Sequence, residues 1–486
     1  MTALLAGFAL GAVILMVSAL ASGIIDRAPL TFPMIFLGLG LVLGEQGLGV
    51  IVIDTHSPVL EAVAVVSLAL VLFLDAVNMQ IDEIRRDWLV PVLSLGPGSL
   101  LTISGIAVAA YALVGTTPLQ SLLLGAILAS TDPVVLRDVL RNERIPRSVR
   151  SALGVEAGTN DIVVLPIVLV LIAVLQADGR TLLDWVGFGA RLLVLSPLIG
   201  LAVGGVGAWL MGKADAHFGI RREHQALYGI GLVLAAYVAG QLVQGDGFLA
   251  AFFAGLAITL FNVSLCDCFV EYGEVTSEMA MLLAFVLFGA VLSTLLPTAP
   301  LVPALALALL AIGVIRPAAM VLVLQRATMS PIARGFIGWF GPRGLNSLLL
   351  VLLVVQAGVA GGEELLAIVG VVVLVSVVLH GASATPLANW YGRRIAQARP
   401  TMAEERESTA VGLFQADAAD APRITPDELA ALLAGPRPPV VLDVRTRAQY
   451  DDHPDQIPTS VRVLPDQLEE WTSTAARDRL VVAYCT

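Results

Sequence analysis

Residues 120–137 read QSLLLGAILASTDPVVLR. From Leu122 to Thr131 the stretch is apolar or small, and it is then interrupted by Asp132 and Pro133. An uninterrupted run of roughly 17–25 apolar residues is what a helix needs to cross a ~30 Å hydrocarbon core. Within lipid only helices and closed barrels satisfy their own backbone. Pro133 has no N–H to donate and its ring clashes with the preceding turn, so the helix should break within Ala129-Ser130-Thr131-Asp132-Pro133. The break frees carbonyl oxygens beside a carboxylate, which suits a hard monovalent cation that needs several oxygen ligands. The same residues also admit a plainer reading, a proline-kinked helix end with Asp132 capping the next turn.

Outward from this stretch the pattern repeats. The chain has 486 residues, of which 57% are hydrophobic, and its mean hydropathy is +0.87. We read an all-α polytopic membrane protein with about thirteen spans: 2–20, 29–48, 57–78, 89–114, 120–137, 151–175, 187–211, 225–242, 247–263, 277–296, 300–324, 332–356 and 365–389. The first has no basic segment before it and no clear cleavage site, so it is expected to be a retained helix.

Basic residues set the orientation. Loops after odd-numbered spans carry Arg27, Arg85, Arg86, Arg137, Arg141, Arg144, Arg147, Arg150, Lys213, Arg221, Arg222, Arg326, Arg334, Arg393 and Arg394. Loops after even-numbered spans carry essentially only Arg180. This asymmetry places the N-terminus outside and the C-terminal tail in the cytoplasm, with the chain in a bacterial inner membrane. One loop, 264–276, departs from the pattern and holds Asp267, Glu271 and Glu274 without a basic residue. Of the net charge of −11, −6 lies in residues 399–486, and no basic face is left for a nucleic-acid partner. Cys266 and Cys268 form a lone C-x-C with no histidine cluster, read as small fillers rather than a metal site. No cofactor is expected.

An ionisable residue at mid-membrane costs roughly 2.5–3.5 kcal/mol on insertion scales and is a functional candidate for that reason. Six qualify: Asp75, Asp132, Glu156, Asp161, Arg316 and Arg343. The sixth span carries Gly154-Val155-Glu156-Ala157-Gly158-Thr159-Asn160-Asp161. Glu156 and Asn160, four apart, share a helix face, and Asp161 lies about 100° further round. Two carboxylates on one buried helix need partners. The available cations are Arg316 and Arg343, each expected to neutralise a carboxylate, with Glu156–Arg316 the favoured pairing and the choice left open. The twelfth span holds a second break, Gly341-Pro342-Arg343-Gly344. Spans 1–6 and 8–13 form two units of opposite topology in which span 5 corresponds to span 12. Interrupted helices at matching positions of inverted repeats point to a transporter's midplane site.

At these residues the chain resembles the NhaP-type sodium/proton antiporters of the first monovalent cation:proton antiporter family, relatives of the animal sodium/proton exchangers. Thr131-Asp132-Pro133, Asn160-Asp161 preceded by Glu156, Arg316-Pro317 and Gly341-Pro342-Arg343-Gly344 match the family's motifs in order, over roughly residues 1–395. The resemblance implies cation and proton binding around Asp161, Asp132 and Thr131, with Glu156 and Asn160 nearby. It also implies a homodimer with a moving core domain and electroneutral exchange of Na⁺, or of Li⁺ in its place, for H⁺, with K⁺/H⁺ exchange on the same scaffold as the alternative. Ala157 stands where the family often has a ligating serine. Asp161 is expected to bind a proton or a cation but not both, which couples the two fluxes, while Asn160 orients the broken helix. Asp75, near the cytoplasmic end of the third span, is expected to snorkel or to line a funnel, with direct ligation of the ion as the alternative.

Residues 396–423 read as a linker and 424–486 as a small α/β segment. Leu442-Asp443-Val444-Arg445 and Val481-Val482-Ala483-Tyr484-Cys485 resemble the first half of a rhodanese domain. That resemblance would make Cys485 a persulfide carrier. The segment lacks the loop and helix that follow this cysteine in the family, so sulfurtransferase activity is not expected, and the chain is read as a transporter rather than an enzyme.

Overall fold

The computed structural model describes residues 16, 31–79, 89–142, 145–176, 181–261, 263–327, 329–397, 425–435, 438–445, 450, 455–463, 471–472 and 479–484. Helices dominate. In chain order they are α1 (Phe32–Leu43), α2 (Pro58–Val77), α3 (Leu89–Leu113), α4 (Pro118–Ala129), α5 (Pro133–Arg141), α6 (Arg147–Leu175), α7 (Leu182–Phe218) and α8 (Arg222–Leu242). There follow α9 (Gly247–Phe261), α10 (Val263–Leu295), α11 (Leu301–Arg326), α12 (Pro331–Trp339), α13 (Leu345–Gln356) and α14 (Gly362–Gln397). Among the described residues nine helices are long and apolar enough to cross a membrane, and three apolar helices are shorter: Phe32–Leu43, Gly247–Phe261 and Leu345–Gln356. Each expected span from the second onward coincides with one of these helices or with a broken pair. The first expected span lies outside the described residues.

Three helices carry a π-helical turn at or just before a proline. These turns are Ser94–Gly98 around Pro97, Arg191–Leu195 before Pro197, and Ala311–Ile315 before Pro317. The widened turn accommodates the ring that would otherwise strike the carbonyl of the preceding turn. The turns in α3 and α11 sit on spans 4 and 11, which correspond in the expected repeat, just as the breaks in spans 5 and 12 do.

Several boundaries differ from the sequence reading; α7 and α14, for instance, run beyond the expected 187–211 and 365–389. The acidic stretch 264–276, taken as a loop, is the first part of α10, which extends well beyond its apolar portion. The second span ends at Leu43, where Gly44 begins a turn closed by a bridge to Ile51. At the far end of α7, Gly219 adopts φ +60° and terminates the helix in the left-handed conformation that glycine takes without a Cβ penalty.

By their contacts the helices sort into two bundles: α1, α2 and α7–α10 in one, α3–α6 and α11–α14 in the other. Small residues let backbones approach closely within the first bundle. A Cβ on Gly40 or Gly289 would run into the facing backbone of α10 or α1, and the same holds for Gly200 and Gly204 of α7 against Ala250 and Ala254 of α9. Contacts across the seam between the bundles are fewer, made chiefly by α2, α10 and α1 against α6, α13 and α14.

In the tail, Thr425 caps α15 (Pro426–Leu433) through a reciprocal bond with Glu428, as its Thr-Pro-Asp-Glu sequence suggests. Three short parallel strands, β1 (Val440–Asp443), β2 (Val461–Arg462) and β3 (Val481–Tyr484), lie in the order β2-β1-β3. Cys485 and the side chains of Cys266 and Cys268 lie outside the described residues.

Candidate functional site

The break in span 5 is real: α4 ends at Ala129, residues 130–132 are not helical, and α5 starts at Pro133. Its counterpart lies between α12, ending at Trp339, and α13, starting at Leu345. The two breaks cross and bond to each other. The Asp132 N–H donates to Pro342 O (2.9 Å), the Arg343 Nε–H to Leu128 O (2.8 Å), and the Ser347 hydroxyl to Ile127 O (3.1 Å).

The charges follow the helix ends. Asp132 Oδ1 accepts from the Val134 N–H of α5 (2.9 Å), and its Oδ2 accepts from the Leu345 N–H of α13 (2.7 Å). One carboxylate thus caps two helix N-termini, each carrying about half a positive charge. The capping reading of Asp132 therefore holds, extended to a second helix. Gly344 passes so near that a Cβ there would overlap this carboxylate. At the opposite poles, donors meet the C-terminal carbonyls of the half-helices. Arg343 bonds Leu128 O and Gly341 O, Arg316 Nη2 bonds Phe340 O (3.2 Å), and Asn160 Nδ2 bonds Ala129 O (2.9 Å).

Glu156 and Arg316 form a buried bidentate pair, Nη1–Oε1 2.7 Å and Nη2–Oε2 2.9 Å, with both side chains 2% exposed. Arg343 departs from expectation. Among the described residues it makes no carboxylate pair. Its Nε and Nη1 donate to backbone carbonyls at the end of α4 and in the segment after α12, while Nη2 has no partner among the described residues. Asn160 spans the first break, donating also to Thr131 Oγ1 (3.2 Å).

Asp161, 3% exposed, has a different environment. Its Oδ1 accepts from the Ser130 hydroxyl (2.7 Å) and its Oδ2 from the Asn346 amide (2.6 Å). No arginine or backbone N–H bonds it among the described residues. Asp75, on α2 of the other bundle, faces it across the seam. A Cβ on Gly158 would lie 3.9 Å from Asp75 Cβ, and the charges Asp75 meets are those of Asp161 and Asp132. Buried Asp75 Oδ2 and Asn160 Oδ1 have no hydrogen-bond partner among the described residues. With all groups ionised, Asp75, Asp132, Glu156 and Asp161 against Arg316 and Arg343 leave two negative charges in excess. The helix ends cannot remove that excess, since two N-termini and two C-termini offset each other.

Sequence reasoning missed Ser130, Asn346, Ser376 and His380. Asn346 lies two residues past the second break, where a polar residue in an apolar run was the available signal. His380 interrupts the last span and qualifies under the same rule that singled out the aspartates. Its Nε2 lies 3.0 Å from Trp339 O and its Nδ1 3.1 Å from Ser376 Oγ, which accepts the Arg343 N–H (2.7 Å). Nδ1 also lies 2.9 Å from Ser376 O, so the ring bridges Ser376 on one side and the Trp339 carbonyl on the other, the donor at each contact being set by the tautomer. The last helix thereby holds both sides of the second break.

The family model described as "Sodium/hydrogen exchanger, transmembrane" matches residues 12–390. The chain belongs to the sodium/hydrogen exchanger family. It is 27% identical over 389 residues to the K(+)/H(+) antiporter NhaP of Alkalimonas amylolytica, covering 78% of this chain and 65% of that protein. It is 30% identical over 387 residues to the K(+)/H(+) antiporter NhaP2 of Shewanella sp. strain ANA-3, covering 78% and 66%. The chain thus spans slightly less than two thirds of these curated relatives. A solved structure of the sodium proton antiporter MjNhaP1 from Methanocaldococcus jannaschii at pH 8 has a TM-score of 0.65 at 22% identity, over 81% of this chain and 98% of that one, and shares the fold.

Proposed function

We propose that the protein is a secondary antiporter that exchanges a monovalent cation for protons, with Asp161 as the shared carboxyl. The observation that carries this reading is the distribution of counter-charge. Asp132 is matched by two helix N-termini and Glu156 by Arg316, whereas Asp161 has only neutral partners. A buried carboxylate without a fixed counter-charge must take a proton or a cation. It cannot hold both, so loading one releases the other. Asp75 and Asn160 Oδ1 supply further unpartnered oxygens beside it, and the excess of two negative charges gives Asp75 a proton or part of the cation's coordination. Thr131 and Asp132 serve by shaping the break that presents Ser130, and Glu156 by neutralising Arg316.

Because Asp75 and Asp161 belong to different bundles, relative motion of the bundles exposes the site to one side at a time. Among the described residues two side-chain polar contacts span the seam: Arg137–Glu278 (2.8 Å) joins α5 to α10, and the Thr55 hydroxyl to Glu363 (2.9 Å) joins the segment before α2 to α14. By span order they lie at opposite ends, Arg137–Glu278 on the side that the arginine distribution makes cytoplasmic. A plasma-membrane location, an external N-terminus, a homodimer and electroneutral exchange belong to the same proposal. For the cation, potassium stands ahead of sodium. The relatives matched at 27–30% identity are named K(+)/H(+) antiporters, and the sodium-named structure bears on fold alone.

The test is proton movement in proteoliposomes under an imposed pH gradient, with K⁺, Na⁺ or Li⁺ added in turn, for wild type and Asp161→Asn. Cation-driven proton flux that disappears in the variant supports the scheme. Flux retained by a folded Asp161→Asn protein, or no response to any of the three ions, removes it.

A further inference from the structure

The three buried carboxylates at the crossover differ in what their partners are able to do. Asp132 is held by backbone N–H groups and Glu156 by a guanidinium. These partners only donate, so they require an anion at all times. Asp161 is held by a hydroxyl and a primary amide. Each of these offers a donor and an acceptor on one rotatable group. The hydroxyl turns about its C–O bond, and the amide turns about the Cβ–Cγ bond to exchange its NH₂ for its carbonyl oxygen.

We infer that Asn346 is a specificity-determining residue whose amide reverses polarity as Asp161 exchanges proton for cation. The inference rests on the reading of Asp161 as the shared carboxyl. With a cation loaded, Asp161 is ionised and Asn346 donates N–H to Oδ2, the arrangement the structure holds at 2.6 Å. With a proton loaded, Asp161 has an O–H to place. The turned amide then accepts it through Oδ1, so the bond between Asp161 and Asn346 is kept in both states. Position matters as much as chemistry. Asn346 is 1% exposed in the first turn of α13, so the second break reads the load on a carboxyl carried by α6. Ser347, the next residue, is tied to Ile127 O, and Leu345, the one before, to Asp132, so the Asn346 backbone is held on both sides, and among the described residues its side chain bonds Asp161.

Three variants separate this from a structural role. Asn346→Leu removes donor and acceptor. A hydrogen bond to a charged group is worth about 1.5–3 kcal/mol, so the cation concentration for half-maximal exchange should rise about tenfold or more, and the pH profile of exchange should move by about one unit. Asn346→Ser keeps a group of reversible polarity and should stay closer to wild type on both readouts. Asn346→Lys supplies a donor that cannot reverse and a fixed counter-charge, and exchange should be lost in a protein that still purifies as a folded species. Half-maximal concentrations for K⁺ and Na⁺ are measured in proteoliposomes across pH 6–9, alongside Asp161→Asn. If Asn346→Leu keeps the wild-type half-maximal concentration and pH profile, or Asn346→Lys still exchanges, the inference fails. If in that same experiment wild type is active and Asp161→Asn is not, the antiporter reading survives that failure.

Discussion

The Glu156–Arg316 pair invites a quantitative test. Both side chains are 2% exposed and their bonds measure 2.7 and 2.9 Å, so the pair is desolvated and its geometry is good. Removing one member of such a pair strands a buried charge and costs about 3–5 kcal/mol, whereas replacing both by apolar groups of similar volume is often close to neutral. Arg316→Met should therefore destabilise by about 3–5 kcal/mol, and Glu156→Met by a similar amount. The double variant should recover most of this loss. It should not recover all of it, because Arg316 also bonds Phe340 O at 3.2 Å, and losing that bond costs about 1 kcal/mol. The expected coupling, the two single losses together less that of the double variant, is then about 5 kcal/mol or more. Reversible SDS unfolding of the four purified proteins in mixed micelles gives the cycle. Single-variant losses under about 1 kcal/mol, or losses that simply add, would refute the argument that burial makes the pair interdependent.

Other expectations follow from the crossover and the seam. Gly344→Ala should break the cap on α13, since the new Cβ would overlap the Asp132 carboxylate; it should cost about 1–3 kcal/mol as overpacking and depress exchange, read by thermal unfolding and vesicle flux. His380→Leu removes the ring that bonds Trp339 O and faces Ser376, so it should destabilise by about 1–3 kcal/mol, with His380→Gln milder because its amide can still donate to that carbonyl. Equal melting temperatures for the two His380 variants would argue against the pinning role. Glu278→Gln breaks a pair about a quarter exposed on each side, so stability should change by less than about 1 kcal/mol while the exchange rate changes. A rate identical to wild type would show that this contact does not limit motion at the seam.

Much of this architecture was legible in the chain. Apolar run lengths located each span from the second onward, and Pro133 and Pro342 located the breaks, because backbone hydrogen bonding in lipid leaves few alternatives. The favoured Glu156–Arg316 pairing matches the structure, since a buried carboxylate and a buried guanidinium seek each other. The role of Arg343 was not legible. Its demand comes from helix-end carbonyls, which no side-chain pattern reveals before the two breaks are known to cross. Asn346 and Ser130 escaped for a related reason. Neutral polar residues cost less in a membrane than charges and do not stand out until the fold brings them within 2.7 Å of Asp161. The acidic start of α10 was misread because charge density suggested a loop where the helix simply continues past its apolar portion.

The reciprocal bonds between residues 127–134 and 341–347 also bear on how such proteins diverge and how they can be re-engineered. Neither break has a complete hydrogen-bond complement without the other, so the two stretches form one heritable unit despite some two hundred intervening residues. A chimera that takes only one of them from a distant relative inherits half a contract. Exchanging both together should carry ion preference across intact, and directed-evolution libraries built on this scaffold should draw their diversity from the two segments jointly.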